Sequence, residues 1–426
     1  MDFFKLKSKG TNVTTEVRAG FTTFLTMLYI VPVNALILSA AGMPYDALVS
    51  ATALITIIAC VINGFWSNTP IAMSTGMGLN AYFAFVLVGQ MHIPWQSALG
   101  IVFVSGMIFL ILSFTKFRSW MINSISEDLR RAISAGIGTF IAFIGLQQMG
   151  IITNSEATLV TLGNFSDKNV LLGVLGIIIV IAFYIKKIKG AFIFAIIATA
   201  LIGWIFGIAE FPKEFFSLPA SIAPIAFELD ILSALKFAFI PVIITFFITD
   251  LFDTLGTLAG VGFRAGLFKK GSVELEKTLE ADAAASVLSG LIGVSTTTSF
   301  VESASGVEEG GRSGLTAICT GAFFVLTIFM IPLFKAIPAN AIYPVLVMVG
   351  ILMFAELKNI NFADKSVAIA AFLIVIMMPL TYSITYGLSF GFTAYVITKL
   401  LTKEFKDINI GVILIFAISV MAFIVH

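Results

Sequence analysis

Asp250 and Asp253 in FITDLFDTLGTLAG, and Glu302 in STTTSFVESASG, stand inside segments that otherwise read as membrane spans. A carboxylate at mid-bilayer costs about 3 kcal/mol on insertion scales, so acids kept at that depth mark a substrate or ion pathway. The two aspartates are three residues apart and share a helix face, and Thr249, Thr254 and Thr257 add hydroxyls to the same turns. The structural alternative puts both aspartates at the cytoplasmic end of their span, paired with Arg264, and makes Glu302 a capping acid in a loop mouth. The stretch of chain between Asp250 and the basic loop, and the small polar residues around Glu302, favour the pathway reading. Glu308 and Glu309 abut Gly310, Gly311 and Arg312 and read as a solvated turn. Asp282 reads as the acid that opens the ninth span, where a negative charge suits a helix N-terminus.

The elements that must hold these acids follow from composition. The chain has 426 residues, 59% hydrophobic and 12% charged, with a mean hydropathy of +1.05, against about 25% charged in a soluble domain. This is an all-α polytopic membrane protein, surrounded by lipid. A net charge of +1 with basic residues in short clusters gives no track for a nucleic-acid backbone, so no nucleic acid is expected. Cys60 and Cys319 lie in apolar runs and offer neither a disulfide framework nor a CxxC metal site, and His92 and His426 are too few for a histidine cluster. No metal and no cofactor are expected. An enzyme is disfavoured for the same reason: HExxH, paired histidines and nucleotide-binding glycine loops do not occur. The polar N-terminus, residues 1–18, leads into a long apolar run without the features of a cleaved signal peptide.

At about 20 apolar residues per span, the chain divides into stretches at roughly 19–41, 45–66, 71–90, 96–115, 130–152, 169–186 and 190–208. After the polar interval 209–230 it divides again at roughly 233–262, 279–294, 296–309, 314–335, 338–355, 365–380 and 382–402. The run 409–425 is left over, and the placement of the segment 403–426 stays open. Cations fall on alternate loops: Lys116, Arg118, Arg130 and Arg131; Lys186, Lys187 and Lys189; Arg264, Lys269, Lys270 and Lys277; Lys358 and Lys365; Lys399 and Lys403. This alternation puts the N-terminus in the cytoplasm and predicts about 14 spans. Seven plus seven is an odd-numbered repeat, so the second half enters the membrane with opposite orientation, giving inverted repeats. Transporters of that kind bind near the midplane, where corresponding spans of the two halves are broken. TPIAMSTGMGLNAYFAF and GVSTTTSFVESASGVEEGGRSG, the third stretches of the two halves, are both interrupted by Gly, Pro or a hydroxyl run. Irregular backbone at that depth survives only where it lines a cavity or is buried in protein, and a half-helix turns a partly positive N-terminus into the gap.

GMGLNAYFAF, DLFDTLGTLAG and TTTSFVESASGVEEGGRSGLTA, within a 7+7 pattern that covers essentially the whole chain, resemble the nucleobase/ascorbate transporter superfamily, in particular its adenine/guanine/hypoxanthine permease branch. The resemblance implies broken third and tenth spans, each a short strand plus a half-helix. It implies a core domain from 19–115 and 233–335, a gate domain from 130–208 and 338–402, and a substrate held between them. It also implies uptake of a purine nucleobase with a proton in the plasma (inner) membrane, and a homodimer through the gate. Its eighth-span acid falls on Asp253, with Asp250 as a second acid nearby, its tenth-span acid on Glu302, and its third-span polar residue on Asn80. Uracil and xanthine members carry Glu or Gln and Asn-Gly-type residues where this chain has Thr297, Thr298 and Ser299, which argues against those two substrates.

The residues themselves agree. A purine offers N–H donors and ring-nitrogen acceptors in one plane, which suits carboxylates at Asp253 and Glu302, the amide of Asn80 and the hydroxyls of Thr298 and Ser299. Tyr82, Phe83 and Phe300 are candidates to stack on the ring, although with 42 phenylalanines any single one is more often packing. Intramembrane acids serve proton relays and ion sites alike. A proton is the expected partner; sodium, held by the hydroxyls of residues 295–299, is the alternative. An anion transporter or channel of a related fold is a further reading, disfavoured because acids repel anions.

Overall fold

The computed structural model describes residues 3–115, 124–258, 261 and 272–425. Lys116, Arg118, Arg264, Lys269, Lys270 and His426 lie outside the described residues, and so does any pairing of the aspartates with Arg264.

Several helices begin at a polar side chain that caps them. Asn12, Asp167, Ser272, Ser313 and Ser383 each accept a hydrogen bond from a backbone N–H of the turn that follows, satisfying an amide that the helix start leaves open. The first half comprises α1 (Val13–Met27), α2 (Ile30–Ser39), α3 (Tyr45–Trp66), strand β1 (Met73–Thr75), α4 (Met77–Ala81, continued as a π-helix over Tyr82–Gln90), α5 (Trp95–Ser113), α6 (Glu127–Gln148), the hairpin β2 (Ile152–Ser155) and β3 (Leu159–Leu162), α7 (Lys168–Ile185) and α8 (Ala191–Ile205). The second half comprises α9 (Ile240–Thr257), α10 (Val273–Ile292), β4 (Thr297–Ser299), α11 (Ser303–Glu308), α12 (Gly314–Phe324), α13 (Ala339–Phe354), α14 (Lys365–Leu380), α15 (Ile384–Leu401) and α16 (Ile410–Val425). Eight helices among the described residues are long and apolar enough to cross a membrane, with shorter apolar helices beside them. The repeat pattern holds: in each half the third span is a short strand followed by a short helix.

Two details depart from expectation. The first span is broken into α1 and α2, because Pro32 has no N–H to give the carbonyl four residues back and its ring crowds that turn. Asp282 does not open the ninth span. Ser272 caps α10 much earlier and Glu274 and Glu276 occupy its first turn, which leaves Asp282 buried in mid-helix.

The helices pack as two groups. In one, α3 lies against α2, α10 and α12, α5 against α10, and α1 against α11 and α12. In the other, α13 lies against α6, α7 and α8, and α14 against α6 and α15. Gly138 and Gly350 let α6 and α13 approach closely: a Cβ at Gly138 would come within 2.7 Å of the Gly350 carbonyl oxygen. The residual run 409–425 forms α16, which packs on α15 through Phe423, Tyr386 and Phe390. At the end of α15 the buried Lys399 ammonium is shared by Asp364 at 2.9 Å, Glu404 at 2.5 Å and Asp407 at 2.8 Å.

Candidate functional site

The two broken spans meet. β1 and β4 pair antiparallel, with Met73 opposite Ser299, Ser74 opposite Thr298 and Thr75 opposite Thr297. The pairing extends through the Gly76 N–H to the Thr296 carbonyl at 2.9 Å and the Phe300 N–H to the Ala72 carbonyl at 3.0 Å. Each strand thus satisfies the backbone that the other leaves free, which is how non-helical chain persists inside a membrane. The crossing also fixes the directions of α4 and α11 as they leave it.

Around this crossing the acids separate by environment. Asp250 is 1% exposed, and one of its oxygens accepts from the Ser286 hydroxyl of α10 at 2.8 Å. Asp282 is fully buried; it accepts from Thr254 at 2.6 Å and Ser299 at 3.4 Å. Asp253 and Glu302 keep partial exposure. Thr298, whose hydroxyl lies 2.9 Å from that of Thr254, also faces the Asp253 carboxylate. Glu302 stands immediately before α11 and accepts a 2.6 Å hydrogen bond from the Tyr29 hydroxyl. Asp253 lies within electrostatic range of Glu302, Asp250, Asp282 and Tyr29. Thr298 thus meets Asp253, with Glu302 within electrostatic range of that acid, while one oxygen of Asp250 turns to Ser286 on α10 and the other has no hydrogen-bond partner among the described residues.

The other predicted residues are mostly engaged. Asn80 on α4 is buried; its amide donates to Asn34 Oδ1 at 2.6 Å, and Asn34 in turn donates to the Thr52 hydroxyl at 2.6 Å. The Asn80 Oδ1 atom has no hydrogen-bond partner among the described residues. Tyr82 bonds Thr385 of α15 at 2.6 Å, and Thr385 bonds Thr245 of α9 at 2.9 Å, so its hydroxyl joins a chain that links α4, α15 and α9. Phe83 and Phe300 are buried. Glu309 lies in the turn that ends α11, as expected, and is partly shielded there by pairing with Arg18 at 3.3 Å and with Lys189. Two surface clefts, of about 530 and 580 Å³, are lined by loop residues around His92 and around Pro212 and include none of these acids.

Sequence reasoning missed Tyr29 and Asn34. Their signal was Pro32, a helix breaker between two polar side chains in the otherwise apolar MLYIVPVN.

A family model described as a permease family, of the xanthine/uracil permease type, matches residues 14–390. The chain belongs to this family of nucleobase/ascorbate transporters. The permease is 40% identical over 414 residues to the adenine permease AdeP of Escherichia coli, covering 97% of this chain and 93% of that one. It is also 40% identical over 434 residues to the guanine/hypoxanthine permease PbuG of Bacillus subtilis, covering 99% of both. Among solved structures, the transmembrane domain of the cyanobacterial bicarbonate transporter BicA superposes with a TM-score of 0.64, covering 86% of this chain and 95% of that one at 14% identity. That likeness is one of fold. Together these make the permease a polytopic membrane transporter.

Proposed function

We propose that this permease takes up a purine nucleobase, adenine, guanine or hypoxanthine, together with a proton across the plasma (inner) membrane, with its N-terminus in the cytoplasm. The observation that carries this reading is the convergence of Asp253 and Glu302, the two acids that keep partial exposure, beside Thr298 at the crossing of the broken spans. Carboxylates accept and do not donate, so two of them suit a planar ligand that presents several N–H groups. Asn80 Oδ1 is a further acceptor, and the Thr298 and Ser299 hydroxyls add adaptable partners. The same acids disfavour an anion as substrate. The adenine and guanine/hypoxanthine permeases among the relatives support a purine over other nucleobases.

The packing of the helices into two groups supports a core of residues 19–115 and 233–335 that rocks against a gate of residues 130–208 and 338–402, exposing one site alternately to the two sides. Asp253 and Glu302 take up and release the proton along that cycle. The test is uptake of radiolabelled adenine, guanine, hypoxanthine, xanthine and uracil by cells lacking their own permeases. Purine uptake that collapses with a protonophore and persists without sodium is expected. No uptake of any base, by protein shown to reach the membrane, would overturn the reading; dependence on sodium instead would replace the proton.

A further inference from the structure

Tyr29 sits where α1 stops and α2 starts, in the break imposed by Pro32, and is fully buried. Its hydroxyl donates to Glu302 Oε1 at 2.6 Å, while the neighbouring Thr26 hydroxyl donates to the Glu302 backbone carbonyl at 3.4 Å. The first span therefore holds residue 302 by both side chain and main chain. The other side of the Tyr29 ring meets Phe192 of α8 edge-on, with centroids 5.1 Å apart and planes at 80°. Glu302 and α1 belong to one group of packed helices and α8 to the other. Tyr29 is thus a single rigid side chain with its polar end on a site carboxylate and its apolar face on the opposing group.

We infer that Tyr29 is a positioning residue that ties the orientation of Glu302 to the approach of α8, so that the substrate carboxylate is correctly aimed only while Phe192 is packed against the Tyr29 ring. This rests on the proposed purine site. A carboxylate can rotate about its last bonds, and a donor that fixes one oxygen decides where the other points; a short hydrogen bond to a charged group is strong enough to do so. The ring contact decides in turn where the donor is, because an edge-to-face pair has a preferred geometry. Separation of the two groups removes Phe192 and frees the tyrosine, which loosens the grip on the ligand.

The test is the initial rate of uptake of whichever radiolabelled purine the wild-type protein transports, measured against concentration and normalised to protein at the membrane. Tyr29→Phe keeps the ring and loses the donor; a rise in KM of about tenfold with a maximal rate within twofold is expected. Phe192→Leu keeps the donor and loses the ring contact, and its KM rises about threefold. The double variant is no worse than Tyr29→Phe alone, because the ring contact acts only through the hydroxyl. An unchanged KM in Tyr29→Phe, or effects that multiply in the double variant, overturns the inference. Should Tyr29→Phe not reach the membrane, an unchanged KM in Phe192→Leu overturns it alone. Absence of uptake by the wild type is a different result, which sinks the purine reading itself.

Discussion

Glu16 and Glu302 are both acids of the membrane domain, and the molecule treats them in opposite ways. Glu16, on α1, is fully buried and accepts from five donors: the Arg312, Ser313 and Thr316 N–H groups at 2.9, 3.3 and 3.1 Å, and the Ser313 and Thr316 hydroxyls at 2.8 and 2.5 Å. It caps the start of α12 from another helix, where unpaired amides and the helix dipole both favour a negative charge. Glu302 has the Tyr29 hydroxyl, keeps partial exposure and lies within electrostatic range of Asp253. A carboxylate whose lone pairs are filled by its own protein has nothing left for a ligand. One that is held at a single oxygen and keeps partial exposure has a reachable vacant acceptor and a fixed direction, the two properties that the proposed binding role of Glu302 needs; Asp250, whose Oδ1 has no partner among the described residues, has the vacancy without the exposure.

The comparison breaks first at Glu16. Glu16→Ala strands five donors in a buried place, and a loss of about 3 kcal/mol in stability is expected. It should appear as a lower melting temperature of the detergent-purified protein and less protein in the membrane; a melting temperature equal to wild type would show that Glu16 is not a framework acid. Glu16→Gln, which keeps an acceptor, should lose about half as much.

At the binding acids the pattern should invert. Asp253→Asn or Glu302→Gln is expected to reduce purine uptake about 100-fold, close to 2.7 kcal/mol, while the melting temperature stays the same or rises, since a partly desolvated charge has been removed. A drop in melting temperature comparable to that of Glu16→Ala would reassign these residues to the framework. Asn80→Ala should fall between, with roughly a tenfold rise in KM from one lost acceptor and a modest destabilisation, because the Asn34 carbonyl then loses its donor.

Much of this was legible in the sequence, and what was not has a physical reason. The broken spans announced themselves because Gly, Pro and a run of hydroxyls cannot be lipid-facing helix, and Asp253 and Glu302 stood out by the cost of placing a charge there. The pairing of β1 with β4 was out of reach, since Met73–Thr75 and Thr297–Ser299 carry no register signal beyond their matching places in the repeat. Asp282 was misread because its neighbours are small and apolar and the real start of α10 lies in a charged stretch that hydropathy discards. Glu16 was hidden for the same reason: an acid in a polar N-terminal segment looks solvated until the chain folds Arg312, Ser313 and Thr316 onto it. Asp250 and Asp253 share a helix face by spacing, yet they meet hydroxyls on different elements, Ser286 on α10 and Thr298 on β4, which the sequence does not reveal.

The smallest expected effect lies at Glu309, a third kind of acid. Arg18, which pairs with it, belongs to the same helix group, whereas Lys189 reaches it from the loop between α7 and α8 in the other group. If the groups rock against each other, the Lys189 pair must open in every cycle while the Arg18 pair need not. A contact that opens in each turnover has to be weak, and this one is: the lysine side chain is 57% exposed, so water and salt screen it and its worth is at most about 1 kcal/mol. Lys189→Gln should therefore alter maximal uptake by less than about threefold, without change in KM or melting temperature, and added salt should reproduce the effect in the wild type. A tenfold change would mean that the pair holds the two groups together through more than a screened contact, and a change in KM would place Lys189 on the path from α8 to Glu302 rather than on the rim.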